Sequence, residues 1–330
     1  MLPDPRRDLL HTWLVEELKL DILDLQPASA DASFRRYFRA WLADGGTRIV
    51  MDAPPAHEDI RPFLHVAQKL AAHGVHVPIV HAVSLEQGFM LLDDFGSTTL
   101  LPVLQQATPE QAEAHYRNAL RALAQLQTCP SHDLPPYDRQ RLGNEMRLFD
   151  TWYLQRHLGL SLGEDDLRLL NSTYAQLTER ALAQAQGFVH RDYHSRNLML
   201  TAANPPGIID FQDAVHGPIT YDIASLLRDS YIEWPDETVE RWLRHQHQTL
   251  LQNDQISADW SQFKTDFDWM SAQRHLKVLG IFARLHHRDG KSGYLADLPL
   301  TLRNLHRSLA PYPEFAEFIA WLNSHGCARP

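Results

Sequence analysis

The chain has 330 residues, 44% of them hydrophobic, enough for one large core or two smaller ones, so a soluble, two-lobed globular architecture is the starting expectation. A formal charge of −10, with Lys19, Lys69, Lys264, Lys277 and Lys291 the only lysines, argues against nonspecific binding to nucleic acid or anionic membrane, which needs clustered cations. The two cysteines, Cys129 and Cys327, stand far apart and suggest neither a disulfide framework nor a zinc site, and no apolar run reaches the ~18 residues of a membrane span. A cytoplasmic protein without an obligate protein partner is expected.

Residues 5–19 place Leu9, Leu10, Trp13, Leu14 and Leu18 on one helical face, with Pro5 suited to the first turn. The β-branched and aromatic runs 22–27, 34–42 and 48–53 read as a three-stranded meander, its second turn supplied by Asp44-Gly45-Gly46. Ile60, Phe63, Leu64, Ala67, Leu70 and Ala71 mark a helix closed by Gly74, and 79–83 and 89–92 add two strands to a small antiparallel sheet. Beyond Asp93-Asp94-Phe95-Gly96, apolar residues recur at three- and four-residue spacing over 109–127, 139–158 and 164–186, then over 219–228, 237–251, about 260–287, 297–309 and 313–323. These predict helices. The fold class is therefore α+β, with a β-rich lobe over 1–93 and a mainly helical lobe over 94–330.

The helical lobe is interrupted by GFVHRDYHSRNLMLTAANPPGIIDFQD, residues 187–213. Short strands over 187–189, 198–200 and 207–209 bracket His190, Asp192, Asn197 and Asp210, which puts two carboxylates and an amide on loops. In-line phosphoryl transfer asks for these groups: a carboxylate beside the attacking hydroxyl, and carboxylate and amide oxygens to hold Mg²⁺ on the phosphates. Asp192 takes the first role, Asn197 and Asp210 the second. His190 organises the loop, Asp213 reaches the metal shell or pairs with an arginine, and Asp222, opening an apolar helix, accepts from loop amides. His190-Arg191-Asp192-Tyr193-His194 also has the look of an H-x-D-x-H hydrolase motif, but the remaining ligands of a binuclear centre have no comparable loops to come from.

HRDYHSRNLM followed by IIDFQDAVHGPITYDIASLLRD resembles the aminoglycoside phosphotransferase and choline kinase superfamily, which shares the protein-kinase-like fold. ASADASFRRYFR, MDAPP, LLDDFGSTTL and QRHLKVLGIFARLHHRDGKSGYL extend a likeness over nearly the whole chain to the bacterial amino-sugar kinases that phosphorylate the anomeric hydroxyl of N-acetylmuramate and N-acetylglucosamine in peptidoglycan recycling. The resemblance implies ATP and Mg²⁺, with nucleotide bound between the lobes and the adenine edge along Leu92, Asp93 and Phe95. It makes 28–36 the phosphate-covering segment. That segment has no glycine, so Ser29 and Ser33 would meet the phosphates.

The third strand carries Met51 where the superfamily places its phosphate-binding lysine, and Arg35 or Arg36 is the expected replacement. Acceptor contacts are expected from Asn144, Glu145, Trp152, Tyr193, His194 and Arg196, with Arg147 or Arg196 available for a substrate carboxylate. The reading is an ATP-dependent kinase of a sugar hydroxyl. The alternatives are a kinase for another small acceptor (an aminoglycoside, choline or an amino acid) or a nucleotide-binding pseudokinase.

Overall fold

A computed structural model describes residues 4–30 and 34–327. In chain order these form α1 (Pro5–Thr12), β1 (Ile22–Ala30), β2 (Arg36–Leu42), β3 (Thr47–Asp52), α2 (Arg61–Ala72), β4 (Val80–Ser84) and β5 (Phe89–Asp93), then α3 (Leu100–Leu104), α4 (Pro109–Leu126), α5 (Arg139–Leu148) and α6 (Glu164–Ala183). The strands β6 (Gln186–Val189), β7 (Leu198–Met199), β8 (Gly207–Ile208) and β9 (Val215–Pro218) follow, and the chain ends in α7 (Thr220–Leu227), α8 (Asp236–Gln252), α9 (Trp260–Asp289), α10 (Leu298–Leu309) and α11 (Ala316–Ser324). The α+β class, with an antiparallel sheet first and helices after, is the one expected. Among the described residues no helix is long and apolar enough to cross a membrane.

The chain divides into two compact units, one running up to Leu100 and taking in Asn197–Asp213, the other Leu101–Arg196 with the chain from Ala214 onward. In the first, the strand order is β1-β2-β3-β5-β4, all antiparallel. Strand side chains alternate between faces. One face sends Leu25, Phe38, Val50, Phe89 and Leu91 against Leu10, Trp13 and Leu14. The buried stripe therefore runs through Leu10 and leaves Leu9 41% exposed. Alternation puts Met51, Met90, Ile49 and Leu92 on the opposite face, in the register pairs Met51↔Met90 and Ile49↔Leu92. The 43–46 turn closes as its sequence demands: Gly45 has φ +85°, and the Gly46 N–H donates to Asp44 Oδ1 at 2.8 Å.

Segment 197–213 joins this unit through backbone and packing. The Leu200 N–H donates to the Thr98 carbonyl at 2.9 Å, the Ile208 N–H to the His76 carbonyl at 2.8 Å, and Phe211 meets Phe63 with ring centres 4.8 Å apart. A Cβ on Gly207 would stand 2.5 Å from the Phe95 ring, so the approach requires glycine. These ties make the structural division differ from a single boundary at 93/94.

The second unit is built around α9, a 30-residue helix. Its Gly280 lets the α5 region come so close that a Cβ would lie 2.3 Å from the Leu148 carbonyl carbon. The helix expected over 139–158 is α5 followed by a π-helical run, Phe149–His157, whose Phe149, Tyr153 and Leu154 join Leu276, Leu279 and Phe282 of α9 in the core. The β6–β9 ladder, from Gln186↔Pro218 to Val189↔Val215, positions the loop that begins at His190.

Candidate active site

In the second unit, β6 delivers the chain to His190, which is fully buried. Asp222, in the first turn of α7 and also fully buried, accepts from the backbone N–H of His190 at 2.6 Å and of Arg191 at 3.0 Å. Those bonds hold Arg191 at φ +77°, a conformation that costs a side-chain-bearing residue of order 1 kcal/mol or more. Burial pushes the Asp222 carboxyl up to about 7, against the two backbone bonds, with Asp192 pushing the same way and Arg274 opposing. His190 Nδ1 accepts the Asp192 N–H at 3.2 Å, and its ring meets Tyr193 edge-on. The histidine shapes the turn that presents half-buried Asp192.

Beneath Asp192 lies a buried ionic network. Arg191 donates to Glu145 Oε1, Tyr137 donates to Glu145 Oε2, and Lys277 Nζ stands 3.6 Å from Glu145 Oε1 while donating to the Tyr221 hydroxyl at 3.0 Å. Burial alone would raise Glu145 and lower Lys277, but Lys277 and Arg191 hold Glu145 below its ordinary value, and Glu145 holds Lys277 above its own. Both stay ionised. Burial is the largest single influence on Asp192 and pushes it up, but Lys277, followed by His194, Arg191 and His190, together outweigh it and hold the carboxyl below its ordinary value.

In the first unit, Asn197 Nδ2 donates to Asp210 Oδ2 at 3.2 Å, and the Asn197 carbonyl accepts the Ile209 N–H at 3.1 Å, so strand pairing and side chains together fix the amide beside the carboxylate. Asp210 has φ +65°, and Gln212 Nε2 donates to its Oδ1 at 2.8 Å. Asp213 is exposed, with Gln212 Nε2 at 3.5 Å. Arg35 brings its guanidinium to 3.9 Å from Asp210 Oδ1. An amide and a carboxylate this close offer the hard oxygens that Mg²⁺ takes alongside phosphate oxygens. Among the described residues no three His, Cys, Asp or Glu side chains converge on a metal position, which also separates this donor set from a binuclear hydrolase centre.

The two arginines proposed to replace the strand lysine thus part company. Arg36 points to the α1 face, where it donates to Asp52 at 2.5 and 3.0 Å and to Asp4 at 2.6 Å; Arg6 closes the same buried Asp52. It is committed there, which corrects its assignment to the nucleotide. Met51 is completely buried, and Leu92 is 3% exposed. Asp93 spends its carboxylate on β4, accepting from the Ile79 N–H at 3.2 Å and pairing with His81 at 2.7 Å. Phe95 is half-buried against His76. Ser33 and the side chain of Ser29 lie outside the described residues; the Ser29 backbone extends β1 opposite Tyr37.

Of the acceptor candidates, Asn144 is exposed on α5, and Glu145 belongs to the ionic network below the loop. Trp152 packs on the core margin. Tyr193 is fully buried and donates to the Ala119 carbonyl at 2.8 Å, which corrects its placement among substrate contacts. His194 is 9% exposed, and burial, aided by Arg274 and Arg196 against Asp229 and Asp192, lowers its pKa; Arg196 is exposed. Sequence reading missed Lys277, Tyr137, Tyr221 and Asp229. A lysine inside the apolar stretch HLKVLG, in a chain with only five lysines, was the available signal.

A five-stranded antiparallel sheet followed by helices, with His190-x-Asp192 and Asn197 on one loop and Asp210-Phe211 on the next, defines a protein-kinase-like phosphotransferase. The model of the phosphotransferase enzyme family matches residues 24–262, and the chain belongs to that family. It is 46% identical over 329 residues to an N-acetylmuramate/N-acetylglucosamine kinase of Pseudomonas aeruginosa, covering 96% of each chain. It is 41% identical over 320 residues to the protein of the same name from Neisseria meningitidis, covering 96% of this chain and 95% of that one. Two solved structures share the fold: an ADP-bound aminoglycoside phosphotransferase (TM-score 0.61, 14% identity, 91% of this chain and 98% of that one) and a choline kinase from Streptococcus pneumoniae (TM-score 0.60, 13% identity, 93% and 99%).

Proposed function

We propose that this protein transfers the γ-phosphoryl group of ATP, with Mg²⁺, to the anomeric hydroxyl of N-acetylmuramate, N-acetylglucosamine or both, in the recycling of peptidoglycan sugars. The observation that carries the reading is the 46% identity, across 96% of each chain, to a kinase named for those two sugars. The side chains such a reaction asks for support it. Asp192, kept ionised chiefly by Lys277 against its burial, accepts the hydrogen bond of the attacking hydroxyl and orients it. An anomeric hydroxyl is more acidic than an ordinary alcohol, so orientation matters more than strong base catalysis, in keeping with a loose transition state.

Asn197 and Asp210 would hold Mg²⁺, which when bound neutralises phosphate charge. Arg35, 3.9 Å from Asp210, supplies the cation that Met51 cannot. Partly exposed Ile49, with buried Met51 and Leu92 packed behind it on the same sheet face, provides the apolar side of the nucleotide site, with backbone groups of residues 91–95 reading adenine.

The test offers the purified protein Mg-ATP with N-acetylmuramate, N-acetylglucosamine, an aminoglycoside and choline, and reads products by mass. Sugar phosphates from the first two are expected. Folded protein that yields neither, or that prefers another acceptor, overturns the proposal.

A further inference from the structure

The two sugars differ by one charge: N-acetylmuramate carries a carboxylate on its lactyl ether, and N-acetylglucosamine has none. In the second unit Arg196, four residues after Asp192 and exposed, lies over the Tyr231 ring with Cζ 4.3 Å from its centre and 5.6 Å from that of Tyr294. Both tyrosines rest on Phe282, at 5.9 and 5.3 Å between ring centres. The Tyr231 N–H donates to Asp229 Oδ1 at 3.1 Å, while Asp229 Oδ2 accepts the Ser195 N–H at 3.1 Å and its hydroxyl at 2.5 Å. One buried carboxylate therefore fastens the aromatic platform to the loop that carries Asp192.

The other candidate for an acidic substrate is engaged elsewhere: Arg147 donates to Asn171 at 2.7 Å and to Asp150 at 3.4 Å. Among the described residues no carboxylate comes within 4.0 Å of the Arg196 guanidinium; Asp297 acts on it from beyond that distance. Beside Tyr231, with ring centres 5.3 Å apart, His194 keeps Nδ1 buried without a hydrogen-bond partner. A guanidinium backed by two rings, hydrogen-bonded to Tyr231, open to solvent and, among the described residues, without a carboxylate within 4.0 Å is prepared for bidentate capture of a carboxylate.

We infer that Arg196 is the specificity-determining residue for N-acetylmuramate, its guanidinium holding the lactyl carboxylate while Tyr231 and Tyr294 support it from behind. This rests on the amino-sugar kinase reading above. The planar fork is what the site supplies, so lysine at 196 would restore charge without geometry.

Steady-state kinetics of the wild type, Arg196→Ala and Arg196→Lys on N-acetylmuramate, its methyl ester and N-acetylglucosamine test it. For Arg196→Ala, kcat/KM on N-acetylmuramate should fall by about ten- to a hundred-fold more than on N-acetylglucosamine, mainly through KM. Arg196→Lys should recover part of the loss. The wild type should lose a similar factor on the methyl ester, and Arg196→Ala should lose little more on that ester, because the two changes remove one interaction. Equal losses on both sugars, or an unchanged preference, overturn the inference while leaving the kinase reading in place. A wild-type enzyme that phosphorylates neither sugar overturns both.

Discussion

Lys277 is the residue whose removal should teach most. At 3.6 Å from Glu145 Oε1 its attraction amounts to roughly 4–5 kcal/mol at an effective dielectric near 20. Replacing it by methionine also relieves the burial of its own charge, and Glu145 keeps Arg191, so the net loss should be about 3 kcal/mol, the low end for breaking a buried pair. In thermal unfolding that is a fall of about 4 °C for a chain of 330 residues.

The same substitution reaches the chemistry. Burial raises Asp192 and Lys277 is the foremost group that lowers it, so Lys277→Met must move the Asp192 carboxyl upward. Activity that needs the carboxylate is then lost at a higher pH on acidification. The acid limb of kcat/KM shifts toward neutrality, and Lys277→Arg, which keeps the charge, leaves it nearer the wild-type position. A Lys277→Met protein that melts with the wild type and keeps the same acid limb would refute the reasoning.

Asp192→Asn should reduce kcat by about 10³-fold while nucleotide affinity, measured by calorimetry, stays within a few-fold. Arg35→Ala should raise the KM for ATP by about ten-fold, whereas Arg36→Ala should leave that KM alone and destabilise the fold by about 2 kcal/mol, since Asp52 would keep only Arg6. Asp222, raised to about 7 by burial, holds a proton in the folded state that the unfolded chain releases near 4, so its contribution to stability is present at acid pH and is lost as pH rises from about 4 to about 7. Urea unfolding at pH 5 and pH 8 should show that decline in the wild type and a flatter profile in Asp222→Asn.

Most of what the sequence made legible was written in short-range patterns. Alternation and turn chemistry located the strands around Asp44-Gly45-Gly46, and the spacing from His190 through Asp210 placed a carboxylate, an amide and a second carboxylate on loops. What stayed hidden depends on side-chain direction and on partners distant in sequence. Arg35 and Arg36 are adjacent, and only the pleat of β2 decides that Arg36 meets Asp52 at 2.5 Å while Arg35 approaches Asp210.

Tyr193 sits in the loop beside Asp192, and nothing in its neighbours says that it turns inward to the Ala119 carbonyl. Lys277 and Glu145 are 132 residues apart in sequence, so their pairing required the crossing of α5 and α9 that Gly280 permits. Leu9 failed for a simpler reason: a stripe of leucines fixes a helix face only to within one residue.

Phosphorus and carbon NMR of the product made from N-acetylmuramate and Mg-ATP tests the central claim most directly. The account predicts one phosphate, coupled to C1, with loss of the reducing end. A phosphate on C6, or ADP released without any sugar phosphate, would contradict it.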